Sequence, residues 1–164
     1  MDGEFEKFII RKKNWWDHGN YKVFDDDGEL AYASKTKLFE FIKKIRLVNA
    51  DYIEVLHIES ANAWQTRFRV KKDEELLLEL NRKFPMVDGI IRAESNYHGA
   101  IKIKTNIWRT NFTFLSESDE VARLSFKTWS TVEAGLAIKA DCDADTMLAI
   151  TIIIAYLNQS GKLY

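Results

Sequence analysis

The sequence predicts a mainly β protein, a closed antiparallel barrel of roughly 10–12 strands around a buried hydrophobic C-terminal helix. Three observations predict it. Short segments of alternating apolar and polar residues fill most of the chain, with turn signals about every 8–12 residues. A single long apolar run, Met147 to Leu157, closes the sequence. That run is apolar on every side when wound as a helix, so it must be enclosed.

The alternating segments follow in order. Residues 5–13 read as a first strand, and 14–20 as a turn rich in Asn, Asp and Gly that contains Trp15 and Trp16. Residues 21–25 and 30–34 flank Asp26-Asp27-Gly28, a hairpin pair because Asp and Gly tolerate positive φ. Residues 39–48 fit alternation only in part. Leu38, Phe41, Ile42 and Ile45 fit a helical stripe equally well, and the neighbouring strands favour a strand. Residues 52–60 and 65–72 are clearer. In the second of these Phe68 and Val70 point one way, and Arg67, Arg69 and Lys71 the other. A charged turn starts at Asp73, and 76–80 fit a strand or a short helix. Segments at 87–93, 100–104, 108–115, 121–129 and 135–140 complete the set. Ile101 and Ile103 oppose Lys102 and Lys104, and Leu124 and Phe126 oppose Arg123 and Lys127.

The terminal run contains β-branched residues that favour strands. Three features favour a helix instead. The run exceeds the usual buried strand of about 4–8 residues. Asp141, Asp143 and Asp145 stand at its start, where a carboxylate caps free N–H groups. Period-two alternation is absent. Met147, Leu148, Ile150, Ile152, Ile153, Ile154 and Leu157 then form a core helix, worth on the order of 10–20 kcal/mol of burial before entropy. A spanning helix needs about 20 apolar residues, and this run is shorter.

Composition narrows the function classes. The chain has 164 residues, which predicts a single domain over 1–164, and it is 46% hydrophobic and 13% aromatic. One Pro and seven Gly leave no linker, and no repeat occurs at a fixed period. The formal net charge of −1 gives no global attraction to nucleic acid or to an acidic membrane, so such binding needs a local cluster. Cys142 is the only cysteine, and the acidic start lacks a basic, then apolar, leader. Both point to a reducing, cytoplasmic setting.

Catalytic motifs are missing. His18, His57 and His98 lie in different segments with no metal-ligand spacing, and Cys142 has no partner cysteine. The Asp-rich stretches fail the calcium-loop pattern. Counting from Asp141, positions six and twelve hold Thr146 and Ile152; from Asp25 they hold Leu30 and Thr36. No Gly-rich phosphate loop or nucleophile elbow occurs. The expectation is a protein that is not an enzyme, without cofactor or metal. Basic residues remain. Arg67, Arg69 and Lys71 share an outward face, as do Lys102 and Lys104. If those strands are neighbours they form an anion-binding patch; otherwise they decorate a solvated exterior.

Two stretches resemble a known superfamily. Tyr21-Lys-Val-Phe-Asp-Asp-Asp-Gly-Glu-Leu-Ala-Tyr32 is similar to its strand, Asp/Gly turn, strand segment. Asp145-Thr-Met-Leu-Ala-Ile-Thr-Ile-Ile-Ile-Ala-Tyr156 is similar to its acid-capped terminal helix. The superfamily is the tubby C-terminal-like group, which includes tubby proteins, phospholipid scramblases and the LURP-one-related proteins. The resemblance is nearest to small LURP-one-related members of bacterial type. It implies a barrel threaded by the helix and a binding role, with an anionic membrane surface or a protein as partner. The chain lacks the cysteine cluster and Pro-rich leader of the scramblases. Two other functions have stated signatures. A lipocalin-type carrier of a small apolar ligand needs the terminal segment outside the lumen. An enzyme built from distant residues needs His57 or His98 beside a carboxylate in a pocket.

Overall fold

The computed structural model describes residues 4–12, 20–36, 42–83, 89–127 and 130–160. Twelve strands precede one helix: β1 (Phe5–Lys12), β2 (Tyr21–Phe24), β3 (Leu30–Thr36), β4 (Lys44–Asn49), β5 (Glu54–Ser60), β6 (Arg67–Lys72), β7 (Glu75–Arg82), β8 (Ile90–Ser95), β9 (Gly99–Thr105), β10 (Asn111–Ser116), β11 (Asp119–Lys127), β12 (Ser130–Lys139) and α1 (Ala144–Gln159). Each strand pairs antiparallel with the next. β1 pairs with β12 from Phe5↔Lys139 to Arg11↔Glu133 and closes the barrel, so no edge is left open.

Alternation decides which side chains line the interior. Phe68 and Val70, Ile101 and Ile103, and Phe112 and Phe114 are buried, while Arg69, Lys102 and Lys104 face out. Both segments that fitted either helix or strand contain a strand, and Ile42 and Lys43 precede the first of them. β4 begins at Lys44, and 39–41 lie outside the described residues. β7 covers 76–80 because Leu78 and Leu80 alternate inward and pair with Ser95 and Ala93.

Several ends move. Tyr52 leaves the strand predicted for it because a turn holds it at φ 61°. Gln65 and Trp108 likewise fall in turns, so β6 starts at Arg67 and β10 at Asn111. β12 starts five residues before the expected Gly135.

The helix fills the barrel. Met147, Leu148, Ile150, Ile152, Ile153, Ile154 and Leu157 are all fully buried against the inward side chains of the strands. Sixteen residues make a rod of about 24 Å, comparable to a seven-residue strand. Thr151, also buried, satisfies its hydroxyl by donating to the Met147 carbonyl at 2.8 Å. Phe112 and Phe126 meet edge to face, with centroids 5.9 Å apart. A lipocalin-type carrier would need the space that α1 occupies.

Candidate functional site

The antiparallel order sorts the connections into two ends. One end carries the β2–β3, β4–β5, β6–β7, β8–β9 and β10–β11 turns and the entry to α1. Carboxylates crowd it: Asp25, Asp26, Asp27 and Glu29; Asp51; Asp73 and Glu74; Glu117; Asp141 and Asp143. These connections contain no lysine or arginine. At the other end the described connecting residues include Lys43, Lys83 and Arg109 and no carboxylate. Behind a net charge of −1, the described connections are thus polarised along the barrel axis.

Local chemistry explains the acidic turns. Asp25 accepts from the backbone N–H groups of Asp27 at 3.1 Å and Glu29 at 2.9 Å, and Gly28 supplies φ 80°. Asn49 does the same for Asp51 and Ile53, both at 3.0 Å. The Asp25–Asp27 run is a hairpin stabiliser, and no group of metal-ligating residues occurs among the described residues.

The same end clamps the helix. Asp143 is the N-cap and accepts from the Thr146 N–H at 3.0 Å. Lys72 Nζ reaches Asp145 Oδ2 at 2.8 Å, and that bond pushes the lysine above its ordinary pKa. His98 Nε2 accepts the Asp143 N–H at 3.1 Å, so this histidine is a structural strut. Burial, followed by the Asp145 and Asp143 charges, raises the Tyr32 hydroxyl. Burial, with Asp141 beside it, raises the Cys142 thiol and keeps it a poor nucleophile.

The basic residues singled out in the sequence face outward but do not form one open patch. β7 and β8 separate β6 from β9. Arg67 donates to Glu79 through Nε at 2.9 Å and its terminal nitrogen at 2.6 Å, and Arg69 lies 3.5 Å from the same carboxylate. Lys71 approaches Glu59 at 3.9 Å. Arg67 holds the Glu79 carboxyl below the usual range. One row does cross the four strands: Arg67 opposite Asn81, Asn81 opposite Arg92, and Arg92 opposite Lys102. Lys102 and Lys104 form no ion pair among the described residues.

Lys104, singled out in the sequence, also belongs to a second gathering of lysines. Lys22, Lys43, Lys44, Lys83 and Lys104 lie within two residues of the end opposite the helix entry. None forms an ion pair among the described residues. Lys44 also borders a depression of about 390 Å³ that includes Lys35, Thr36, Arg46, Glu54 and His57. His57 lies 3.9 Å from Glu54 and 3.7 Å from Glu59. The pairing is long, and it sits on the open outer wall. The same end exposes Trp64, Ile107 and Trp108, at 78%, 86% and 73%.

Comparison with known proteins accords with this architecture. A protein of Arabidopsis thaliana solved by X-ray crystallography superposes with a TM-score of 0.70 at 16% identity, over 95% of this chain and 93% of that one. That likeness concerns the fold. No curated protein matches the sequence. The family profile described as LURP-one-related matches residues 6–155, and the chain belongs to that family.

Proposed function

We propose that this chain is a non-catalytic module that binds anionic headgroups at a membrane surface, presenting its lysine-ringed end to them. The observation that carries this reading is the axial separation of charge. Among the described residues, five lysines without ionic partners surround one end, and the connections that bear carboxylates occupy the other. An anionic bilayer attracts each nearby lysine by about 1 kcal/mol, and the distant carboxylates sit beyond a Debye length of about 8 Å. Lys102 and the Arg67–Arg69–Lys71 face extend the attraction down the wall, with Glu79 and Glu59 tempering the last three. The net charge of −1 favours neither nucleic acid nor an anionic bilayer, so the local lysines carry the attraction. The cytoplasmic setting suggested by the single cysteine suits a protein meeting an anionic leaflet. No described helix is long and apolar enough to cross a membrane.

The test is sedimentation with phosphatidylcholine vesicles, with and without phosphatidylserine, and with duplex DNA, at two salt concentrations. Binding confined to the anionic vesicles and weakened by salt is expected. Equal indifference to both vesicle types, or a preference for DNA, would refute the reading.

A further inference from the structure

Two connections at the lysine-ringed end are built to one plan. Asn62-Ala63-Trp64-Gln65-Thr66 joins β5 to β6, and Asn106-Ile107-Trp108-Arg109-Thr110 joins β9 to β10. In each, the asparagine side chain accepts from the threonine N–H, at 3.0 Å in the first and 2.9 Å in the second. In each, the asparagine amide donates back to the threonine hydroxyl, at 2.7 and 3.0 Å. The residue after tryptophan is left-handed in both, Gln65 at φ 55° and Arg109 at φ 54°. Its N–H donates to the asparagine carbonyl at 3.2 and 3.0 Å. Buried Arg82 braces the first turn by donating to the Gln65 carbonyl at 2.9 Å.

This construction ties the asparagine and threonine side chains to each other and leaves the indole exposed at the tip. A left-handed non-glycine residue costs of order 1 kcal/mol, and each of these two turns accepts one. Exposed tryptophan on a rigid turn is a preorganised anchor, since little side-chain or backbone freedom remains to be lost on contact.

The surroundings select the occupant. Going round this end in strand order, the connections bring Lys43, Trp64, Lys83 and Trp108 in turn. Alternating indoles and lysines on one rim match a flat, laterally fluid, anionic surface. Indoles settle at headgroup depth, and ammonium groups meet phosphates. The geometry points to Trp64 and Trp108 as a pair of anchors that enter the interfacial layer of an anionic phospholipid bilayer. This rests on the membrane reading above and adds the apolar half of the contact.

The test has two arms, both on the full chain with phosphatidylcholine–phosphatidylserine vesicles. Trp64→Ala and Trp108→Ala each weaken vesicle binding about tenfold, and the double variant on the order of a hundredfold. Tyr97→Ala, which removes an aromatic 66% exposed at the carboxylate end, leaves it unchanged. In the second arm an environment-sensitive fluorophore is attached in a Cys142→Ser background through Trp64→Cys, Trp108→Cys or Tyr97→Cys. Vesicles shift the emission to the blue at 64 and 108 and leave it unchanged at 97. This arm decides the matter even should the double variant lose its fold. If wild type binds while the probes at 64 and 108 stay aqueous, or the alanine variants bind like wild type, the anchors are refuted and the charge reading survives. If wild type ignores anionic vesicles, both are refuted.

Discussion

Lys72 Nζ lies 2.8 Å from Asp145 Oδ2 and ties the last residue of β6 to the first turn of the helix, 73 positions later. The pair acts at the entry to the plug, where the helix dipole already favours a carboxylate. Its side chains are 40% and 19% exposed, so solvent screens the attraction. Lys72→Met is expected to cost about 0.5–1 kcal/mol at neutral pH. The lysine is raised in the folded state, so its contribution is complete below the ordinary value of 10.5 and is lost as pH rises through the higher folded value. Melting curves of wild type and variant should differ at neutral pH and converge in strong alkali. A difference that grows with alkalinity contradicts the assignment.

His98 Nε2 holds the Asp143 N–H at the helix entry, which lies 45 positions along the chain. Truncation strands a part-buried donor next to the N-cap. His98→Ala is expected to lower stability by about 1–2 kcal/mol in urea denaturation. His98→Leu should cost as much, because it restores volume without an acceptor. A full rescue by leucine would mean that the ring acts through packing alone.

The barrel was legible because its strands alternate strictly where it matters. Ile101 and Ile103 against Lys102 and Lys104 permit one inward face, and a helix apolar all round permits one location. Element ends were less legible. Trp108 and Tyr52 have strand propensity, yet asparagine-cradled turns and positive φ take over there. The polarised charge was invisible in a net value of −1, because assigning a turn to an end requires the pairing order. The masking of Arg67 and Arg69 by Glu79 needed the β6–β7 register. The repeated Asn-x-Trp-x-Thr turn did lie open in the sequence, but it follows no tandem period, and its tryptophans resemble core residues until the turns are seen.

Ile153 sits in the middle of the buried helix with no exposure. Ile153→Ala removes three carbons from an interior closed on all sides by strands, which cannot collapse inward to refill the space. The expected loss is about 3–5 kcal/mol, at the upper part of the range for such truncations. Ile153→Val should cost about 1 kcal/mol. Urea midpoints measure both. A loss under 1 kcal/mol for alanine would place the residue at a loosely packed site.

Charge reversal at the lysine-ringed end tests the polarity directly. Lys44→Glu and Lys104→Glu alter outward residues that form no ion pair among the described residues, so each should change stability by less than about 0.5 kcal/mol. On anionic vesicles each reversal should weaken binding more than tenfold, since it removes an attraction of about 1 kcal/mol and adds a repulsion. Asp26→Lys, at the opposite end, should leave that binding within about twofold at physiological salt. Equal effects at both ends would show that net charge, not its placement, governs binding.

Glu79 couples stability to the same surface. Its hydrogen bond with Arg67 holds the carboxyl below its ordinary 4.5, so the contribution is present above that value and fades as pH falls through the lower folded one. Glu79→Gln should lower stability by about 0.5–1 kcal/mol at neutral pH, with the difference from wild type vanishing in acid. The substitution also releases Arg67 and Arg69 on the outer wall. One change should therefore weaken the fold and strengthen binding to anionic vesicles, by a few-fold for two partly screened cations. Parallel losses in melting temperature and in vesicle affinity would instead assign the β6 arginines to the fold alone and confine headgroup contact to the lysine-ringed end.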